Sequence, residues 1–247
     1  MSDGQLGHTV QSFDEELKRL SGVLLDMGEL AVAQVRDGTR SLFERDDELA
    51  QQVVAREKQL NAYDTQGEEM AIQIIARRQP MGVDLRSVIV MLKSFTELER
   101  VGDEAKKIAK IARRMIVDEQ DPVDAYRDSV KHMALAAEHS LVEVLRAIRE
   151  QDENLAIQVA ERDKLLDIEY KDALRSIHEG LVSSPSLLPV AAESVLIIKA
   201  IERIGDHAKN MAKLVVYQVA GRDVRHIKSK RLAEALGKTD EEDDVAG

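Results

Sequence analysis

Four acidic residues in this sequence stand in two matching settings. Glu99 and Asp103 flank Arg100-Val101-Gly102, and Glu202 and Asp206 flank Arg203-Ile204-Gly205. On a helix, residues four apart share a face, so each pair would present two carboxylates one turn apart. Like charges at that spacing repel by a few tenths of a kcal/mol when exposed and by more when half-buried. A cation must compensate: an arginine, a lysine or a metal ion. Further pairs have the same spacing, namely Asp163 with Asp167, Glu57 with Asn61, and Asp64 with Glu68. Two facing helices that each offer oxygens one turn apart would form a hard-ligand metal site. The same acids also suit ordinary salt bridges, Glu99 with Lys106 or Arg100 and Asp103 with Lys106 or Lys107. Arg100 and Arg203 read most simply as charge compensators beside the acids.

The glycines separate these motifs from an ordinary charged helix. A mid-helix glycine costs roughly 1 kcal/mol against alanine, yet Gly102 and Gly205 recur at the same place. Adding 103 lays residues 99–110 onto 202–213, with 8 of 12 positions identical. Adding 106 pairs Met27 with Met133, Asp46 with Asp152, Leu49 with Leu155, Val53 with Val159 and Arg56 with Arg162. The chain is an internal repeat, and the change of offset falls in the loop before each third helix, where length varies most.

The elements that would hold these acids follow from apolar spacing and breakers. Phe13, Leu17, Leu20, Leu24, Met27 and Ala31 recur at helical intervals and predict a helix from Ser12 to about Arg40. Asp46 is placed to cap a second helix running to about Arg77. Gln79-Pro80-Met81-Gly82 stops it, since proline disfavours helix in the residue before it. A third helix is expected from Val83 to Val117. Asp118 to Pro122 breaks the chain, with Asp121 as a cap and Pro122 at the first helical position. Three more helices are expected: Val123 to Arg149, Asp152 to Leu181, and Leu188 to Ala220. The reading is an all-α protein of two tandem pseudo-symmetric three-helix bundles, residues 1–120 and 121–221, with a polar and flexible tail over 222–247.

Composition agrees with this and narrows the function. Of 247 residues, 44% are hydrophobic and 33% charged, but only 3% are aromatic, and there are 4 prolines. Barrels and sandwiches need more turn residues than that. The absence of cysteine excludes disulfides, thiolate zinc sites and cysteine nucleophiles. A formal net charge of -11 argues against nucleic acid as a partner. No signal peptide or membrane-spanning apolar run is evident, so a cytoplasmic protein is expected, reaching a membrane only through protein partners. His139 and His207 are isolated, and no Glu-x-x-His, P-loop or Gly-x-Ser-x-Gly motif occurs.

The doubled Glu-Arg-[Val/Ile]-Gly-Asp segment, with Arg78-Gln79-Pro80 and Asp84-Leu85-Arg86 before it, resembles the PhoU family of phosphate-signalling proteins. Met27-Gly28, Asp163-x-x-x-Asp167 and Gly221-Arg222-Asp223-Val224-Arg225-His226 are similar to that family too. The resemblance spans about residues 12–227. It implies two three-helix bundles side by side and, in some members, multinuclear clusters of iron, zinc or other divalent or trivalent metals such as magnesium or manganese. By position the ligands would be Glu99, Asp103, Glu202, Asp206, Asp163 and Asp167, with Glu57 and Asn61 as the first-half counterparts of the last two. The neutral Asn61 implies a weaker first cluster. The resemblance further implies a homodimeric, non-enzymatic repressor of the phosphate-starvation response. Such a repressor couples the ATPase subunit of a phosphate ABC transporter to a sensor histidine kinase and restrains phosphate uptake. A carboxylate-bridged multinuclear metalloenzyme and a metal-free helical scaffold are the alternatives. Removal of Glu202 and Asp206 is expected to leave the metal-free fold intact.

Overall fold

A computed structural model describes residues 3–118, 124–224 and 227. Six long helices follow one another: α1 (Asp3–Glu44), α2 (Asp47–Arg78), α3 (Val83–Val117), α4 (Asp124–Glu150), α5 (Glu153–Ser183) and α6 (Leu188–Ala220). A 3-10 turn at Pro185–Leu187 leads into α6, and no strand occurs among the described residues. The chain is all-α, built as tandem helical bundles.

The ends of the helices have local causes. Asp46 accepts from the Leu49 N–H at 2.9 Å, and Asp152 repeats this with Leu155 at 3.0 Å. Each carboxylate satisfies one of the orphan donors at a helix start, a contribution of about 1 kcal/mol. Gln79 closes α2 in the left-handed conformation just before Pro80, and Gly221 does the same for α6 at φ 68°. α1 begins at Asp3 rather than Ser12, since residues 3–11 contain no proline to stop it. The expected cap at Asp121 with Pro122, and most of the expected flexible tail, lie outside the described residues.

Within each half the middle helix packs on the other two, α2 on α1 and α3, and α5 on α4 and α6. The halves join through α1 with α4 and α3 with α6. Both junctions are antiparallel. Across α3 and α6, Glu104 meets Arg203, Glu97 meets His207 and Arg114 meets Glu193, so numbers rise on one helix as they fall on the other. Across α1 and α4, Arg36 meets Glu138 and Glu29 meets Arg149. One continuous core runs through both halves and includes Leu20, Leu24, Met27, Phe95, Met133, Leu141, Ile197 and Ile198. Each such side chain contributes roughly 1.5–3 kcal/mol by leaving water, so the apolar burial that holds each bundle also joins the two.

The repeat is visible in the packing at the motif glycines. The Cβ absent from Gly102 would stand where Leu60 of α2 lies, and that of Gly205 where Leu166 of α5 lies. Leu60 and Leu166 are related by the offset of 106, the glycines by 103. Glycine lets the second helix of each half approach the third beside the paired acids.

Candidate functional site

In the first half, α2 presents Glu57, Asn61 and Asp64 towards Glu99 and Asp103 of α3. The Lys106 ammonium lies 2.7 Å from Glu57 and 3.7 Å from Asp103. The Asn61 amide donates to Glu57 Oε1 at 3.1 Å. Hydrogen bonding to Lys106 holds the Glu57 carboxyl below the ordinary range. Glu99 has no ion pair or hydrogen bond among the described residues; burial first, and then the charges of Asp103 and Asp64, push its pKa up. Burial and the neighbouring Glu68 push Asp64 up as well. Lys106 pairs directly with Glu57 and Asp103, while Lys110 and Arg100 act only through their charge, so Glu99 and Asp64 lie in a net acidic field.

In the second half, Lys209 donates to Asp163 Oδ2 at 2.6 Å and also to Asp206. Asp163 is only 9% exposed, and burial raises its pKa against the pull of Lys209. Burial works against the charge on Lys209 too, but its hydrogen bonds to Asp163 and Asp206 outweigh that and raise its pKa. Glu202 accepts from Lys199 at 2.7 Å, and the Lys199 ammonium lies 5.3 Å from the centre of the Tyr170 ring. Asp167 faces the group more loosely and acts on Asp163 through its charge.

The structure thus gathers Glu57, Asn61, Glu99 and Asp103 on one flank, and Asp163, Asp167, Glu202 and Asp206 on the other. The expected pairing of Asp103 with Lys106 is present, and the structure adds a link between helices that spacing along one helix does not show. Lys106 and Lys209, related by the offset of 103, each bridge an acid on the second helix to an acid on the third. The signal was present, because both lysines lie inside the duplicated segment. Arg100 offsets Glu99 through its charge, as expected, but among the described residues neither Arg100 nor Arg203 makes an ion pair with a motif acid. Arg203 reaches across to Glu104 at 3.1 Å, and Arg100 lies 4.0 Å from Glu97. Lys107 also goes to Glu104 rather than Asp103. Because Glu202 and Asp206 pair with Lys199 and Lys209 in the metal-free protein, alanine at those acids breaks two ion pairs rather than only relieving a repulsion, although Lys209 keeps Asp163. Among the described residues, no three His, Asp or Glu side chains are already grouped as a metal cage. None of the helices is long and apolar enough to cross a membrane.

The two acidic flanks lie on either side of the α3–α6 seam. Glu104, only 5% exposed, takes both Lys107 and Arg203 there, and Glu97 accepts from His207 at 2.7 Å. The arrangement is a broad face of four helices with charge sorted across it.

Comparison with known proteins gives one answer at every level. The PhoU domain model matches residues 24–112 and 130–215, one match to each half. The phosphate-specific transport system accessory protein PhoU homolog of Pseudomonas aeruginosa is 38% identical over 234 residues, covering 95% of this chain and 96% of that one. The Escherichia coli accessory protein PhoU is 29% identical over 233 residues, 94% and 95% of the two chains. The crystal structure of PhoU from Pseudomonas aeruginosa superposes with a TM-score of 0.82 at 37% identity, over 85% of this chain and all of that one. The phosphate transport system regulatory protein PhoU of Streptococcus pneumoniae gives 0.78 at 26% identity, over 86% and 99%. With both repeats matched and nearly the whole chain aligned, the protein belongs to the PhoU family.

Proposed function

We propose that this protein is a cytoplasmic accessory regulator of phosphate transport that represses the phosphate-starvation response while phosphate is abundant. Full-length similarity to proteins named as accessory to the phosphate-specific transport system is the observation that carries the reading. Its role is to couple the ATPase subunit of a phosphate ABC transporter to a sensor histidine kinase and so restrain uptake, as a homodimer. The accessory role of the relatives and the broad helical face favour docking over catalysis. Opposite charge on a partner would mainly speed and orient encounter with the acidic flanks.

The flanks are also the proposed metal centre. Their donors are carboxylate and amide oxygens on facing helices, which suits hard cations, and Lys106 and Lys209 already hold cationic charge among them. Glu99, Asp103, Glu57 and Asn61 would serve the first centre, and Glu202, Asp206, Asp163 and Asp167 the second. Charge makes the first the more demanding of a cation. Asp64 and Glu68 have Tyr170 and Leu174 as their counterparts, and Lys199 stands at the counterpart of Thr96. A bound ion would lower the acidity of the docking face.

The experiment is deletion of the gene in a host with no second copy, with phosphate-starvation transcripts measured in phosphate-rich medium. The reading expects them to rise; unchanged transcripts reject it.

A further inference from the structure

The α3–α6 seam is basic although the chain as a whole carries -11. Two cavities lie along it. One, of about 350 Å³, is lined by Lys93, Thr96, Glu97, Arg100, Asn210 and Lys213. The other, of about 390 Å³, has Lys107, Lys110, Lys199 and Arg203 around Glu104, over an apolar floor that includes Ile111 and Leu196. Adding 103 turns Arg100 into Arg203, Lys110 into Lys213, Thr96 into Lys199 and Lys107 into Asn210. The second cavity is therefore the image of the first under the internal repeat. What recurs is an arginine from one helix facing a lysine from the other: Arg100 with Lys213, and Arg203 with Lys110.

We infer that these paired cavities bind phosphate-class oxyanions, either free inorganic phosphate or the phosphoryl groups of a nucleotide or polyphosphate. A guanidinium offers a planar two-pronged donor to a tetrahedral oxyanion, and an ammonium opposite it adds a compact point charge. Both cavities are of a size that takes small ligands. Lys93 and Lys110 have no ion pair among the described residues. Lys213 is 9% exposed and donates to the Ile227 carbonyl at 2.9 Å. Burial, and then repulsion from Lys209, lower its pKa, and an anion in the cavity would relieve both. The one acid lining the first cavity, Glu97, is already engaged by His207 at 2.7 Å and Asn210 at 3.3 Å. Ala200 stands at its counterpart in the second cavity, whose own acid, Glu104, is likewise already engaged, by Lys107 and Arg203. Asp103 and Asp206 border the space between the two cavities, which places any bound anion next to both acidic flanks.

The test is calorimetric titration of the full chain, stripped of metals by a chelator, with inorganic phosphate, tripolyphosphate and ATP, and with sulfate for comparison. Saturable binding of at least one phosphate probe is expected, and which probe binds tells free phosphate from phosphoanhydride. The Arg100→Gln/Lys110→Gln double variant removes one cation from each cavity and should weaken binding roughly 10-fold or more. Lys93→Gln/Lys110→Gln, which breaks no ion pair, should weaken it in the same direction and covers the case in which the first variant does not fold. No saturable binding of any phosphate probe up to about 10 mM would overturn the inference. Binding that sulfate matches and neither variant changes would overturn it as well. These titrations use purified protein alone, so their outcome is separate from that of the gene deletion.

Discussion

Phe95 of α3 rests its ring directly on the backbone of Gly67 in α2, where three ring atoms occupy the space a Cβ would need. Phe95 is fully buried and its ring is rigid, so it cannot yield as a flexible side chain would. Gly67→Ala is expected to destabilise the protein by up to about 2 kcal/mol, an overpacking cost of about 1–3 less the roughly 1 kcal/mol that alanine returns in helix propensity. The urea midpoint measures it. Gly102→Ala meets only a methyl of Leu60, and its midpoint should fall less.

Lys209→Met removes the ammonium that Asp163 and Asp206 share. Asp163 is then left buried without its cation, at a cost of about 3 kcal/mol. Adding Asp163→Asn should recover much of the loss. Chemical denaturation of the single and double variants at neutral pH gives the comparison; equal loss in both would show that lysine packing, rather than charge, is what matters.

Glu99 supplies a prediction in pH. Its native pKa lies above the ordinary 4.5 because of burial and then Asp103 and Asp64. The folded state therefore binds this proton more readily than the unfolded chain, and ionisation of Glu99 costs stability once the pH rises through the native value. Glu99→Gln is expected to raise the thermal midpoint at pH 7. The gain should shrink as the pH falls through the raised native value and vanish below 4.5. A gain that persists in acid would point to packing.

Metal uptake should be uneven between the halves. After loading with iron, zinc, manganese or magnesium, elemental analysis of Asp64→Asn/Glu99→Gln is expected to show a larger drop than that of Asp167→Asn. The reverse order would restore the weaker first centre that Asn61 alone suggests.

Much of this architecture was legible in the sequence, because its causes are local. Asp46 and Asp152 announce helix starts, Pro80 and Gly221 announce ends, and α3 and α6 run from Val83 to Val117 and Leu188 to Ala220 as spacing and breakers require. The acids of each flank were legible as pairs along one helix. The pairing of Asp103 with Lys106 within α3 was legible too, but the partners across helices were not, since spacing along α3 says nothing about the rotation of α2 against it. That rotation gives Lys106 to Glu57 and leaves Glu99 alone. The contacts of Arg203 with Glu104 and of His207 with Glu97 were further out of reach, because they depend on the antiparallel crossing of helices about 100 residues apart in the chain.

That antiparallel crossing of two like helices is the contact an isologous dimer of single repeats would make, each copy offering the same surface to the other. Joining the copies in one chain frees them from identity. A true dimer with lysine at the position of Lys199 has it twice; here the counterpart is Thr96, and likewise Asp167 is matched by Asn61, Ala200 by Glu97 and His207 by Glu104. The covalent link turns a symmetric object into a polar one, with a more acidic flank on one side, served by Lys106, and a less acidic flank on the other, served by Lys199 and Lys209. Such a molecule can present two different faces to two different neighbours while keeping a single shared core.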